Sequence, residues 1–103
     1  MVIDLNADGF LKDWTIWTEQ IAVELAAQNQ ISLNESHWEI INLARVFYRE
    51  FDHAPSQRPL AKYIKLNLGS EKSASIYLMQ LFGQSPAKMI ARLSGLPKPK
   101  NCL

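Results

Sequence analysis

The chain holds one cysteine, Cys102, in the segment Leu96-Pro97-Lys98-Pro99-Lys100-Asn101-Cys102-Leu103. A thiol placed there is expected to be reachable, because structural free cysteines behave as small buried hydrophobes whereas chain ends are the least ordered and least buried parts of a domain. Pro97 and Pro99 bias the backbone toward extended or polyproline geometry, so the steps from Gly95 to Cys102 span roughly 20–25 Å at about 3.1–3.3 Å per residue. Lys98 and Lys100 bias the local field toward thiolate, the nucleophilic form of the side chain. An intrachain disulfide is excluded, which leaves a reactive thiol or half of an intermolecular bridge. A thiolate can attack the outer sulfur of a persulfide and carry that sulfur away. A second nearby cysteine would convert the persulfide to a disulfide and expel sulfide, so a single thiol suits carrying sulfur more than reducing it.

Other chemistries find less support. Two histidines and one cysteine without ligand spacing do not make a zinc site, and neither a metal nor a cofactor is expected. His37 falls one turn into a helical stretch, where packing or capping is the simpler role. His53 follows that stretch, where a cation favours the helix dipole. Neither is a convincing base for Cys102, so a cysteine–histidine hydrolase is improbable. Trp17, Trp38 and Tyr77 lie on apolar stripes and read as core.

The elements that must position the thiol are legible from periodicity. Asp8-Gly9, between Val2, Ile3 and Leu5 before it and Phe10 and Leu11 after it, signals a small N-terminal hairpin. Apolar residues at helical spacing predict a first helix over 15–28, with Thr18 a candidate cap. Asn34 caps a second helix ending near Asp52, whose broad stripe from Trp38 to Phe51 predicts the central, most buried helix. A third opens at Arg58-Pro59-Leu60 and stops at Gly69. A fourth runs from Ser70 to Gly83, and a last one covers Ala87 to Ser94, with Ser85 and Pro86 at its start and Gly95 at its end. The predicted fold is mainly α, a compact domain of about five helices with a small N-terminal hairpin and a mobile C-terminal arm. Residues 1–95 form hairpin and core, and residues 96–103 the arm.

A hydrophobic fraction of 48% over 103 residues fits one domain with its own core. No export signal or membrane span is indicated, and one unpaired thiol suits a reducing cytoplasm. The net charge of +1 conceals a division: residues 1–57 carry three basic and nine acidic side chains, and residues 58–103 eight basic and one acidic. The halves either complement each other within the fold or present a basic face to an acidic protein or nucleic acid. Lys62, Lys65, Lys72, Lys88 and Arg92 are spread over three predicted helices, a weak signal for a groove-reading element.

Several segments together carry a resemblance. Asp8-Gly9-Phe10-Leu11 with Trp17, His37-Trp38-Glu39-Ile40-Ile41, Arg45-Val46-Phe47-Tyr48, and above all Gly95-Leu96-Pro97-Lys98-Pro99 followed by Cys102 make the chain resemble the TusE/DsrC family over nearly its whole length. The resemblance implies that Cys102 bears the sulfur and that the fold is mostly helical with a mobile arm. The dissimilatory branch of the family has a second cysteine eleven positions upstream of the penultimate one, where this chain has Ala91. The resemblance is therefore to the TusE branch. It implies a sulfurtransferase that takes a persulfide sulfur from a TusBCD-like donor complex and relays it, with an MnmA-like thiouridylase and its bound tRNA, to the wobble uridine. The stretch Phe82-Gly83-Gln84-Ser85-Pro86 departs from the family's more usual proline and further glycine. Lys98, Lys100, Pro97, Pro99 and Arg92 are the residues expected to meet partners, and nucleic-acid binding by the carrier alone is expected to be weak. The alternatives are a helical nucleic-acid-binding domain with Cys102 as a redox-sensitive appendage, and a subunit or regulator that docks its tail without carrying sulfur, as in sulfite reduction.

Overall fold

The computed structural model describes residues 2–100; Met1, Asn101, Cys102 and Leu103 lie outside the described residues. The chain opens with a loop organised by Asn6. The Asn6 Oδ1 accepts the amides of Asp8 and Phe10, each at 3.0 Å, and the Asn6 amide donates to the Phe10 carbonyl at 2.8 Å. The only ladder-type pairing in this loop is one antiparallel bridge between Leu5 and Leu11, and no strand forms among the described residues. The expected hairpin is thus corrected to a bridged turn. Phe10 and Leu11 are consecutive and both buried, whereas a pleated strand sends consecutive side chains to opposite faces, and the Asn6 side chain takes amides that a ladder would need.

Asp13 caps a 3₁₀ turn, Trp14–Ile16, accepting the Thr15 amide at 3.0 Å and its hydroxyl at 2.6 Å. These bonds hold the Asp13 carboxyl below the usual carboxylate range. Helix α1 (Glu19–Gln28) starts after Thr18, whose extended backbone and Oγ1, accepting the Ile21 amide at 3.2 Å, make it the N-cap. The predicted helix over 15–28 is shorter by its first four residues because a capping residue stands outside the helix it caps. Helix α2 (Glu35–Phe51) is capped by Asn34, which accepts the amides of Ser36 and His37. The His37 Nδ1 in turn accepts the Asn34 amide at 3.1 Å, so Nε2 carries the ring proton and donates to the Leu81 carbonyl at 2.8 Å. His37 is therefore a capping residue that also ties α2 to a later helix.

Helix α3 (Gln57–Leu68) carries Pro59 in its first turn, where the missing N–H has no intrahelical partner to lose. The single helix expected from Ser70 to Gly83 is two, α4 (Ser70–Ser73) and α5 (Ser75–Phe82), separated by Ala74 in an extended conformation. The Ser73 hydroxyl donates back to the Ser70 carbonyl at 2.9 Å, a local bond that competes with helix continuation. Helix α6 (Pro86–Leu93) completes a set of six among the described residues.

The most buried helix is α6 rather than α2. It packs against α1, α2, α3 and α5, and five of its eight residues are buried, including Ile90, Ala91 and Leu93. Length of apolar stripe favours α2, but position between four neighbours decides burial. Val46 and Phe51, read as stripe residues of α2, are 42% and 46% exposed. The core joins Phe10, Leu25, Ile40, Ile41, Leu60, Ile64, Leu78 and Phe82 to α6 and continues through Leu96, which is fully buried. No described helix is long and apolar enough to cross a membrane.

Candidate functional site

The arm leaves the core at the C-terminal end of α6, and that end is held from several directions. Gly95 adopts φ +72°, the left-handed conformation that ends helices readily only with glycine. The Leu96 amide donates to the Ala91 carbonyl at 2.9 Å, and the Gly95 amide to the Arg92 carbonyl at 3.4 Å. These two reversed bonds form a Schellman motif, with Leu96 inserted in the core beside the turn it closes. Trp17 lies against Gly95 so closely that a Cβ there would fall 2.5 Å from the indole Cδ1. The Trp17 Nε1–H donates to the Leu93 carbonyl at 2.8 Å.

Arg45 completes this clamp. It is only 7% exposed; its Nη1 donates to the Ser94 carbonyl at 2.9 Å and its Nη2 to the Trp14 carbonyl at 3.2 Å. The guanidinium lies over the Trp17 ring at 4.2 Å and the Trp14 ring at 5.1 Å from their centroids. Burial, and then the charge of Arg49, lowers its pKa from the usual guanidinium range. Two carbonyls, two indole faces and the negative end of the α6 dipole offset the loss of water around the cation. Ser94 is fully buried and its hydroxyl donates to the Ile41 carbonyl at 3.4 Å. Sequence reasoning treated Arg45 as a motif residue and Trp17 as core. The available signal was a lone arginine on the apolar stripe of α2 between Ile41 and Tyr48.

The predicted partner-facing residues are distributed unevenly. Pro97 and Lys100 are exposed, Lys98 is half-buried, and Pro99 is buried. With Leu96 and Pro99 both packed, the edge of the core does not coincide with the boundary expected after residue 95. Arg92 donates to the Asp8 carbonyl at 3.0 Å and lies 4.9 Å from the Phe10 ring centroid, joining α6 to the N-terminal turn. It also lines an open groove of about 650 Å³ whose wall includes His37, Met79, Phe82, Lys88 and Met89. Lys100, the last described residue, lines a cleft of about 220 Å³ together with Ser56 and Gln57 at the start of α3 and Ser85 to Lys88 at the start of α6. The arm therefore runs from the C-terminal end of α6 back to its N-terminal end, where two helix dipoles present their positive poles. Cys102 lies outside the described residues. Among them no cluster of histidine, cysteine or carboxylate side chains is arranged for a metal ion.

Position 91 is informative in its own right. Ala91 is buried in α6 and its carbonyl closes the Schellman motif, so this position lies in the core at the backbone turn from which the arm departs.

Comparison with known proteins agrees with this geometry. The family model described as DsrC like protein matches residues 1–103. The chain is 44% identical to Sulfurtransferase TusE of Yersinia pseudotuberculosis over 102 residues, covering 99% of this chain and 94% of that protein. It is 46% identical to Sulfurtransferase TusE of Photorhabdus laumondii over 101 residues, covering 98% and 91%. The solution structure of Allochromatium vinosum DsrC superposes with a TM-score of 0.88 at 40% identity, covering 98% of this chain and 90% of that one. The oxidized gamma-subunit of dissimilatory sulfite reductase (DsrC) from Archaeoglobus fulgidus gives a TM-score of 0.82 at 38% identity, covering 98% and 92%. On a match that runs the length of the chain and a fold shared with both structures, the protein belongs to the DsrC-like family.

Proposed function

We propose that the protein is a sulfur carrier whose Cys102 accepts a persulfide sulfur from a donor protein and relays it toward 2-thiolation of a tRNA wobble uridine. The observation that carries this reading is the held root of the arm. Trp17, Arg45 and the Schellman turn fix residues 93–96, so the chain's one cysteine follows a rigid base on a short segment stiffened by Pro97 and Pro99. A stiff presenting segment loses little entropy when it enters a partner's cleft. Kinship with proteins named Sulfurtransferase TusE supports the same reading.

The transfer is thiol–persulfide exchange. The Cys102 thiolate attacks the outer, sulfane sulfur of the donor persulfide; a Cys102–sulfur bond forms as the donor's sulfur–sulfur bond breaks, and the electron pair leaves on the donor cysteine as thiolate. The sulfane hydrogen travels with its sulfur, and no external oxidant or reductant enters. With alanine at position 91 the persulfide has no internal thiol to resolve it, so it survives until a partner takes the sulfur. A TusBCD-like complex as donor, an MnmA-like thiouridylase with bound tRNA as acceptor, and the cytoplasm as location complete the proposal. Lys98, Lys100, Pro97 and Arg92 are assigned to partner contact, Lys98 and Lys100 as the electrostatic part, whereas Pro99, being buried, is assigned to stiffening the segment.

Intact mass after incubation with a cysteine desulfurase, relay proteins and cysteine tests the proposal. The expected result is a gain of one sulfur on the wild type, removed by reductant and absent in Cys102→Ser. Equal loading of the serine variant overturns it.

A further inference from the structure

Helix α3 buries Leu60 and Ile64 and turns the opposite face to solvent. On that face stand Arg58, Lys62 and Lys65, all exposed. At 3.6 residues per turn they fall within about 60° of one another, and at about 1.5 Å per residue they extend over about 10 Å. No acidic residue occurs between Gln57 and Gly69, and none of the three cations has an ion-pair partner among the described residues. Lys72, by contrast, is paired with Glu39 at 2.6 Å. The ridge begins one residue beyond Gln57, which lines the cleft that Lys100 also lines, so it starts beside the place where the described arm ends.

We propose that the Arg58–Lys62–Lys65 ridge of α3 is a docking surface for the phosphodiester backbone of an RNA strand. The choice of RNA rests on the carrier reading above; the ridge itself rests on geometry and charge. A strand laid along this row of about 10 Å can turn successive phosphates toward the three cations, since each nucleotide carries one negative charge. Arg58 can grip a phosphate through two parallel N–H donors, and the two lysines act as point charges. A protein interface would centre on buried aromatic or aliphatic anchors. The ridge has none along its line; the exposed Leu66 (75% exposed) stands beside its C-terminal end, where the apolar face of an unstacked base can cover it. Lys100 lies next to the start of the ridge, and Cys102 follows within about 7 Å of extended chain. Docking on α3 would thus bring an RNA substrate beside the end of the described arm. The contact is electrostatic and weak alone, as befits a carrier that must leave.

The test uses the reduced full chain and a labelled oligouridine strand of about a dozen nucleotides, titrated at several salt concentrations. Three neutralised phosphates give a log–log salt slope of about −2. The triple variant Arg58→Gln, Lys62→Gln, Lys65→Gln, altered only at exposed positions and checked for wild-type helicity by circular dichroism, loses most of that slope and roughly tenfold or more of the low-salt affinity. Absence of binding by the wild type, wild-type affinity and slope in the triple variant, or a polyglutamate of equal length competing as well as RNA would each overturn the ridge. Loading of Cys102 by inorganic polysulfide, read in parallel by intact mass, separates the two readings. Loading that persists while RNA binding fails removes the ridge alone, and RNA binding without loading removes the carrier.

Discussion

Gly95 and Arg45 decide how the arm begins, and each is sensitive for a distinct reason. An alanine at position 95 meets the Trp17 ring at 2.5 Å and must hold φ +72°, a conformation that costs an L-residue about 1–2 kcal/mol before any clash. Gly95→Ala is therefore expected to destabilise by more than about 2 kcal/mol in urea unfolding. Combination with Trp17→Ala recovers part of the loss, and strict additivity of the two would show that the indole is not the obstacle. Arg45→Met leaves the Ser94 and Trp14 carbonyls without their donors, an expected loss of about 1–3 kcal/mol by thermal unfolding. Arg45→Lys does not restore stability, because one ammonium lacks the planar fork that reaches two carbonyls and stacks on two indoles.

At the scale of elements, the caps set where helices begin and how they lean on one another. Asn34→Ala removes the acceptor for two amides of α2 and is expected to cost about 1 kcal/mol. His37→Ala costs more, because it removes both the reciprocal cap bond and the link to the Leu81 carbonyl. The double variant should lose less than the sum, since both side chains serve one cap; full additivity in a chemical denaturation cycle would mean that the cap bonds act independently. The first-turn cap is also a pH device. Hydrogen bonds from Thr15 lower the Asp13 pKa in the folded state, so its contribution is fully present above the unfolded value of about 3.9. It is lost as pH falls through the lower folded value. The stability difference between wild type and Asp13→Ala is expected to be present near neutrality and to shrink as pH falls below the unfolded carboxylate value; a gap that stays constant would assign the effect to the Thr15 hydroxyl instead.

Across the whole molecule, charge is sorted by sequence half and the fold leaves much of that sorting on the surface. Lys72 and Glu39 join the two halves, while the α3 cations and Lys100 remain exposed. Long-range attraction to acidic partners follows and is screened by salt. Lys98→Glu with Lys100→Glu is expected to slow sulfur transfer between proteins several-fold at low salt and to have little effect at high salt, read as persulfide transfer rates at two ionic strengths. Equal rates at both salts would make these lysines bystanders in docking.

Helical periodicity, Asn34 and Thr18 as caps, Gly95 as a helix stop and the placement of Cys102 on a proline-bearing tail were all legible in the sequence. They depend on interactions within a few residues, which local order records. The hairpin was misread because Asp8-Gly9 marks a turn without saying whether the flanks alternate, and burial of both Phe10 and Leu11 is imposed by helices distant in the chain. The break at Ala74 and the shortened start of α1 are similar cases, in which a side chain takes backbone bonds that periodicity alone assigns to a helix. The Arg45–Trp17–Ser94 clamp was hidden for the same reason: its members come from residues 17, 45 and 94, and their attraction exists only once α6 is packed against α1 and α2. The sequence by itself determined that the chain's one thiol follows a proline-bearing segment and where α2, α3, α5 and α6 end, because those are properties of residue type and near neighbours. Only the tertiary structure decided what holds the root of the arm and which cations stand together in the open, because burial and long-range contact belong to the packed chain.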